Sequence, residues 1–328
     1  MSAMIQLNHL QKHFKLSKGL IGTDKRVVKA VDDISFCIYK GESLGLVGAQ
    51  GCGKSTLAKV ISGAEATTSG SITYRGQPLP PARDPAQRLY APHIQMIFEE
   101  PDAGLAPSMT VGEYLAHTLE RVAYCPSTQF RSQVVEMLEL VELDASKTSA
   151  FPHQLTEIER QKVAIARALC KKPELLIYDE PLSGYANSLL LHQLLVRIHQ
   201  KLGLTYLLMD NDLSLIGHFC DRLGVVCRGR LVELGPAQEI IHHPLHPYTR
   251  WLFHQEKESQ AHSSIGKQVV SSDDLNSLVN PGPGCRHALR CARAGWQCHQ
   301  YRPPVISMRP DHWVACWEYG KSGTQARP

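Results

Sequence analysis

A glycine-rich loop followed by a lysine and two hydroxyl residues occurs near position 50. Its residues are, in order, Gly48, Ala49, Gln50, Gly51, Cys52, Gly53, Lys54, Ser55 and Thr56. Glycines let backbone N–H groups curl around phosphates, and the start of a helix adds a favourable dipole. The pattern places Lys54 to reach the β- and γ-phosphates of a nucleotide and the Ser55 hydroxyl to bind Mg²⁺. We therefore predict that these residues bind ATP and Mg²⁺.

An acidic motif follows about 125 residues later, where Glu174–Glu180 reads Glu-Leu-Leu-Ile-Tyr-Asp-Glu. Its form is that of a buried strand that ends in a carboxylate. We expect Asp179 to hold Mg²⁺ through water and Glu180 to act as the base for an attacking water molecule. An apolar run ending in Asp-Glu is a weak signal alone, but it becomes a strong one when it follows a phosphate-binding loop.

Strand-like and helical patterns alternate between Met4 and about Arg250. Ser43–Val47 and Leu175–Asp179 are short and mostly apolar, as expected for strands buried on both faces of a parallel sheet. Lys54–Gly63, Thr156–Leu169 and Ser188–Leu202 have helical patterns. These elements supply the strand before the phosphate-binding loop and the helix after it, and they predict an α/β fold.

Length and composition bound the remaining possibilities. The 328 residues suffice for one large domain and a small appendage. A net charge of +4 is too weak to indicate a nucleic-acid partner. Apolar runs are far shorter than the roughly 20 residues of a membrane-spanning helix, and no secretion signal is recognisable. We expect a soluble cytosolic chain that meets a membrane only through partners.

The region Leu155–Leu169 resembles the signature of ABC ATPases, and its second half, Arg-Gln-Lys-Val-Ala-Ile-Ala-Arg-Ala, matches almost residue for residue. Ile94–Pro101 stands where that family has its Q-loop. The resemblance covers residues 4–250 and implies an ABC-type P-loop ATPase domain. Such a domain has a RecA-like core and a helical subdomain, here at about residues 100–165. Residues 251–283 are predicted to be a linker, and residues 284–328 a small cysteine-rich C-terminal extension.

Other features are similar to the dipeptide and oligopeptide (and nickel) importer branch. His246-Pro247-Tyr248-Thr249 resembles the end of the ATPase domain in these subunits, and Gly104-Leu105-Ala106-Pro107 resembles the family's Ser-Leu-Asn-Pro. The cysteine spacing of the extension also resembles that branch. Phe14 matches the family's aromatic residue that stacks on adenine.

The resemblance implies several partners. ABC ATPases work as head-to-tail pairs, so a second ABC ATPase subunit is expected to complete a heterodimer. Two transmembrane permease subunits are expected to contact the helical region around Glu100–Thr118, with a periplasmic or extracellular substrate-binding protein acting indirectly. The expected location is peripheral, on the cytoplasmic face of the bacterial inner membrane. The transported substrate is not predicted.

The signature departs from the family pattern at its start. Where the family has Ser-Gly-Gly-Gln, this chain has Thr156, Glu157, Ile158 and Glu159. In a head-to-tail pair this segment approaches the γ-phosphate held by the partner. Side-chain bulk and two carboxylates would then face a polyanion, which predicts an impaired contribution to that site.

Three further positions depart from the pattern. The Q-loop glutamine is Glu99, the switch histidine is Asn211 and the D-loop aspartate is Ala186. Glu99 accepts hydrogen bonds only, and Asn211 donates a hydrogen bond but carries no imidazolium charge. We expect this subunit to bind ATP readily and to hydrolyse it slowly or not at all.

The last 45 residues contain Cys285, Cys291, Cys298 and Cys316. Four thiolates suit tetrahedral metal coordination, and a cytosolic location argues against disulfides. The resemblance implies a four-iron iron–sulfur (4Fe-4S) cluster with all four cysteines as ligands. Zinc is the alternative, although paired Cys-x2-Cys motifs are missing.

Two other kinds of protein remain possible at this stage. One is a non-transport ABC ATPase, such as an accessory subunit of a phosphonate-degrading complex. That class does not predict the long cysteine tail. The other is an inert regulatory subunit that holds the partner ATPase, which differs in hydrolysis rather than in architecture.

Overall fold

The structure is a computed structural model. It describes residues 2–16, 26–97, 106–122, 130–179, 185–211, 216–261, 278–320 and 324–325. The chain forms two compact units. The first contains Met1–Asp84 and Leu208–Pro328, and the second contains Pro85–Leu207.

An antiparallel sheet of four strands opens the first unit. Its strands are β1 (Ala3–Lys15), β2 (Val27–Tyr39), β4 (Ser69–Tyr74) and β5 (Gln77–Pro78). Their order is β2-β1-β4-β5. Buried residues alternate along β2 at Ile34, Phe36 and Ile38, so one face of the strand is apolar and packs on the core.

The second sheet of this unit carries the phosphate-binding loop. Its strands are β3 (Ser43–Val47), β9 (Arg222–Cys227), β10 (Arg230–Pro236), β11 (Val305–Arg309), β12 (His312–Ala315) and β13 (Thr324–Gln325). β3 is parallel to β9, with Leu44 opposite Arg222. β10 and β12 are antiparallel, with Glu233 opposite Val314. The C-terminal extension therefore continues the sheet that holds the loop.

Among the residues that the structure describes, helices accompany these strands. They are α1 (Lys54–Ile61), α6 (Ala237–His242), α7 (Pro247–Ala261) and α8 (Trp296–Gln300). α1 ends where Ser62 donates its backbone N–H to Ala58 and Gly63 adopts a φ of 75°. A left-handed glycine after the last turn is a common helix stop. α7 extends to Ala261, into the segment that the sequence predicts to be a linker.

The second unit combines helices with two parallel strands. The elements are β6 (Ile94–Ile97), α2 (Val111–Val122), α3 (Phe130–Leu140), α4 (Glu157–Cys170), β7 (Leu175–Asp179) and α5 (Tyr185–Leu202). α2, α3 and α4 pack on one another through buried residues such as Leu115, Leu138 and Val163. β8 (Thr205–Asp210) then leads the chain into the first unit.

The predicted α/β fold is confirmed. Both predicted strands, Ser43–Val47 and Leu175–Asp179, have the predicted bounds, and every residue in them is buried. The helix predicted over Ser188–Leu202 begins three residues earlier, at Tyr185. Among the described residues, no helix has both the length and the apolar character needed to cross a bilayer.

Candidate functional site

The phosphate-binding loop joins the buried strand β3 to helix α1. Gly51 has a φ of 75° and Gly53 a φ of 112°, in the left-handed region where a side chain is strained. A Cβ atom on Gly53 would overlap the carbonyl oxygen of Ala30, and one on Gly48 would overlap that of Val226. Glycine is therefore required at these positions by the backbone itself, which passes close to its neighbours.

Lys54 is buried, with 3% of its surface exposed. Its Nζ donates to the Gly48 carbonyl at 2.8 Å and to Asn211 Oδ1 at 2.7 Å. A buried ammonium group requires such acceptors. The amine is thus held against the loop, where phosphate oxygens could replace these two neutral acceptors.

The N-cap residue of α1 has no side chain that could cap the helix. Gly53 is the N-cap residue and makes no side-chain hydrogen bond to the helix. Ser55 and Thr56 lie in this turn, and Cys52 is buried directly before it. The helix dipole and the backbone of this turn favour an anion. The loop residues that the sequence predicts to bind phosphate lie at this helix start.

Asp179 and Glu180 are the acidic residues that the sequence predicts to act on Mg²⁺ and on the attacking water. Asp179 is the last residue of β7 and is buried, with 6% of its surface exposed. Glu180 and the Q-loop residue Glu99 lie outside the described residues. Their predicted roles therefore stay predictions. Ala186, at the D-loop position, lies in the first turn of α5.

Two predicted nucleotide contacts lie in the first unit. Asn211 follows β8 directly, and its Oδ1 accepts from Lys54. Asn211, which stands where the ABC ATPases have the switch histidine, therefore contacts Lys54 of the loop. Phe14 lies at the end of β1 and is 38% exposed. Its ring centroid lies 4.8 Å from the Nζ of Lys12, and its exposure leaves room for stacking.

The signature residues form the start of α4, and this start is capped by its own side chains. Thr156 is the N-cap residue. The Glu159 N–H donates to Thr156 Oγ1 at 3.3 Å, and the Thr156 N–H donates to Glu159 Oε2 at 2.8 Å. This reciprocal pair is a capping box, and it satisfies two backbone donors at the helix start.

Glu159 also pairs with Lys147, whose Nζ lies 2.8 Å from Glu159 Oε1. The Lys147 hydrogen bond, together with the Thr156 N–H, lowers the pKa of Glu159 below its usual value. The carboxylate is therefore charged and engaged within its own unit. Glu157 is exposed and Ile158 is half-buried, so a free carboxylate and apolar bulk remain at this helix start.

The four cysteines of the C-terminal extension are all half-buried. The Cys285 N–H donates to the Cys298 carbonyl at 2.7 Å. Burial raises the pKa of Cys285, and the nearby Cys298 and Cys291 raise it further. Burial also raises the pKa of Cys316 to about 12. Among the described residues, no group of three or more His, Cys, Asp or Glu side chains is arranged to hold a metal ion.

Sequence reasoning missed two contributors. Lys147 neutralises Glu159 across a separation of 12 residues, and Tyr248 accepts a hydrogen bond from the Ala49 N–H of the phosphate-binding loop at 3.0 Å. The sequence analysis identified His246–Thr249 as a motif typical of the family, but the motif did not predict that Tyr248 contacts the loop.

Two family models match the chain. Residues 31–183 match the model described as ABC transporter, and residues 232–298 match the model for the C-terminal region of oligopeptide and dipeptide transporters. The oligopeptide transport ATP-binding protein AppF of Bacillus subtilis is 33% identical, over 96% of this chain and 97% of AppF. The dipeptide transport ATP-binding protein DppF of Escherichia coli is 34% identical, over 92% of this chain and 90% of DppF.

The fold also matches a solved structure. The structure of cbiO1 from Clostridium perfringens, part of the ABC transporter complex cbiONQ, superposes with a TM-score of 0.65 and 23% identity. The match covers 81% of this chain and all of that one. Because AppF and DppF are at least 33% identical to it over more than nine-tenths of its length, the chain belongs to the ABC ATPases, in the family of oligopeptide and dipeptide transport ATP-binding proteins.

Proposed function

We propose that the chain is the ATP-binding subunit of a bacterial ABC importer for peptides. It pairs with a second ATPase subunit and binds two transmembrane permeases at the cytoplasmic face of the membrane. A substrate-binding protein outside the membrane delivers the cargo. Relatives named for oligopeptide and dipeptide transport support the cargo class. The observation that carries the proposal is Lys54, buried and held at the phosphate-binding loop.

Nucleotide binding uses groups that are already in place. The Lys54 amine exchanges the Gly48 carbonyl and Asn211 Oδ1 for phosphate oxygens, while the uncapped turn of α1 presents its backbone to the same anion. Ser55 and Asp179 are the residues that would hold Mg²⁺. When bound, Mg²⁺ supplies positive charge that offsets the charge of the phosphates.

Hydrolysis is weaker than binding in this proposal. Glu180 takes a proton from water, but Asn211 has no ionisable proton with which to assist it. At the site on the partner's loop, this chain contributes Thr156, Glu157, Ile158 and Glu159. The exposed carboxylate of Glu157 and the apolar side chain of Ile158 support the view that this helix start is poorly suited to a γ-phosphate.

The test of transport is uptake of a labelled peptide by cells that depend on this chain. Lys54→Ala should abolish uptake of dipeptides or longer peptides while leaving the complex assembled. Normal peptide uptake in that variant would contradict the proposed function.

The test of passive hydrolysis is Glu180→Gln in the purified, assembled transporter. We expect the ATPase rate to remain within about twofold of that of the unaltered transporter. The equivalent change in the partner subunit is the matched control, and it should remove most of the activity. A large loss from Glu180→Gln in this chain would overturn the passive role.

We also infer that the extension binds a four-iron iron–sulfur cluster, with zinc as the alternative. The donor chemistry of Cys285, Cys291, Cys298 and Cys316 supports this. Burial, together with neighbouring cysteines of the extension, also raises the pKa of the Cys285 and Cys316 thiols. The described geometry does not itself form a metal site, so no step is assigned to the cluster. Protein purified without oxygen should be brown and contain iron and sulfide. Zinc in a colourless protein would favour the alternative, and neither metal would refute both.

A further inference from the structure

The segment His246–Thr249 lies directly against the phosphate-binding loop. The backbone N–H of Ala49, the second residue of the loop, donates to the Tyr248 hydroxyl at 3.0 Å. Tyr248 is buried. Its ring stacks on Trp251 at a centroid distance of 5.7 Å and meets His287 edge-on at 5.3 Å. A rigidly packed side chain thus holds a backbone group of the loop.

The buried carboxylate of Glu233 holds the segment His246–Thr249 by hydrogen bonds. Glu233 in β10 is 1% exposed and accepts from the backbone N–H groups of Leu245 (2.8 Å) and His246 (2.9 Å). It also accepts from Thr249 Oγ1 at 2.6 Å. A charge buried this deeply is tolerated only when it is fully hydrogen-bonded. The segment therefore has little freedom to move relative to β10.

The same carboxylate also binds the C-terminal extension. Glu233 Oε1 lies 2.8 Å from Nε2 of His312, a fully buried residue of β12. A second link runs through His246, whose Nδ1 accepts from the Tyr248 N–H at 3.0 Å and whose Nε2 lies 4.0 Å from Cys285 Sγ. Two chains of contacts thus lead from the extension to Tyr248 and on to the loop.

We propose that Tyr248 is a positioning residue for nucleotide binding, and that the C-terminal extension acts on the phosphate-binding loop through it. Glycines widen the range of backbone conformations open to the loop, so fixing one of them for nucleotide binding has a cost in conformational entropy. A fixed hydroxyl on the Ala49 N–H holds the loop near one conformation and lowers that cost. This inference goes beyond the proposed function because it holds whatever the cargo is.

The direct test is Tyr248→Phe in the full chain, which keeps the ring and removes only the hydroxyl. We expect the Kd for ATP to rise about three- to tenfold, as for the loss of one hydrogen bond. Hydrogen exchange of the loop peptide should become faster, and the melting temperature without nucleotide should fall by about 2–4 °C, because one buried hydrogen bond is lost. In the assembled transporter, KM for ATP should rise with kcat unchanged.

Tyr114→Phe is the matched control. The Tyr114 hydroxyl accepts a hydrogen bond from Arg167 within the second unit, so this variant loses a hydroxyl contact of the same kind away from the His246–Thr249 segment. ATP affinity should stay within about twofold in this variant. The proposal is overturned if Tyr248→Phe binds ATP like the unaltered chain, or if Tyr114→Phe weakens binding equally.

The role of the extension is tested with His312→Leu, which removes the bond to Glu233. ATP affinity should fall in the same direction, and the combined variant with Tyr248→Phe should be no weaker than the weaker single variant. Arg309→Ala, which removes an ion pair to Glu239 elsewhere in the extension, is the control. Additive losses would exclude transmission through Tyr248. Lys54→Ala, which should bind ATP about 100-fold more weakly, separates this test from that of the nucleotide site itself.

Discussion

Two helix starts in this chain have opposite chemistry. α1 begins after Gly53 with no side-chain cap and with Lys54 at its first position. α4 begins after Thr156 with a reciprocal capping box and with two carboxylates in its first turn. A helix start attracts anions when its backbone N–H groups lack acceptors and no nearby negative charge offsets its dipole. In α1 the N-cap residue provides no acceptor of this kind. In α4 the side chains of Thr156 and Glu159 accept these hydrogen bonds.

The comparison explains why one altered segment does not imply an inactive protein. The α1 start keeps the loop glycines and the buried Lys54, so we expect it to bind nucleotide. The α4 start is stabilised locally, since Glu159 is paired with both Thr156 and Lys147. The residues that replace the signature pattern therefore form a well-capped helix start.

Removing the cation from the α1 start has the largest expected effect. Lys54→Ala should weaken ATP binding by about 100-fold, because charge-assisted hydrogen bonds to phosphate are lost. Equilibrium binding of ATP to the purified chain measures this. Lys59→Ala, an exposed lysine on the same helix, is the control and should bind normally. Equal losses in both variants would show that net charge, and not the loop, governs binding.

Restoring the family's Ser-Gly-Gly-Gln pattern at the start of α4 tests the second of the two helix starts. The combined change Thr156→Ser, Glu157→Gly, Ile158→Gly and Glu159→Gln should raise the ATPase rate of the assembled transporter. Removing the exposed Glu157 charge alone is worth about 1 kcal/mol near a phosphate in a water-like dielectric, or about fivefold in rate. Glu139→Gln, an exposed carboxylate on α3, should change nothing. An unchanged rate after restoration would contradict the account.

Stability should respond to loss of the cap itself. Thr156→Ala should lower the free energy of unfolding by about 1 kcal/mol, the usual cost of an N-cap, without weakening ATP binding by the isolated chain. Thr110 and Glu113 form the same reciprocal pair at the start of α2. Thr110→Ala should therefore cost about as much in denaturant titrations. A far smaller loss for Thr156→Ala would mean that its capping box contributes little.

The smallest expected effect concerns pH. Because the pKa of Glu159 is lowered by Lys147 and the Thr156 N–H, its contribution to stability is present above the ordinary value of 4.5. It is lost as the pH falls through the lower folded value. The difference in unfolding free energy between the unaltered chain and Glu159→Gln should shrink below pH 4.5. A difference independent of pH would show that the charge is not involved.

Features set by neighbouring residues were predictable from the sequence. The apolar runs of β3 and β7 and the glycine pattern before Lys54 are local signals, and the structure confirms these elements. The capping box at Thr156 was also readable as Thr-x-x-Glu, yet its acidic residues suggested only repulsion. The ion pair with Lys147 weakens the prediction of repulsion for Glu159, because Lys147 offsets its negative charge.

Contacts between distant segments were not predictable. Glu233 and His312 are 79 residues apart and Ala49 and Tyr248 are 199 apart, and a single sequence carries no record of such pairs. The same applies to the antiparallel pairing of β10 with β12. The sequence indicated a separate cysteine-rich tail, whereas the structure extends the sheet of the phosphate-binding loop into it.

The most direct test is a single-turnover experiment on the assembled transporter loaded with radiolabelled ATP and Mg²⁺. It counts how many bound ATP molecules are hydrolysed in the first turnover. The account predicts two bound nucleotides, of which at most one is converted to ADP at the working rate, with ATP remaining intact at the other site. Rapid hydrolysis of both at equal rates would contradict it.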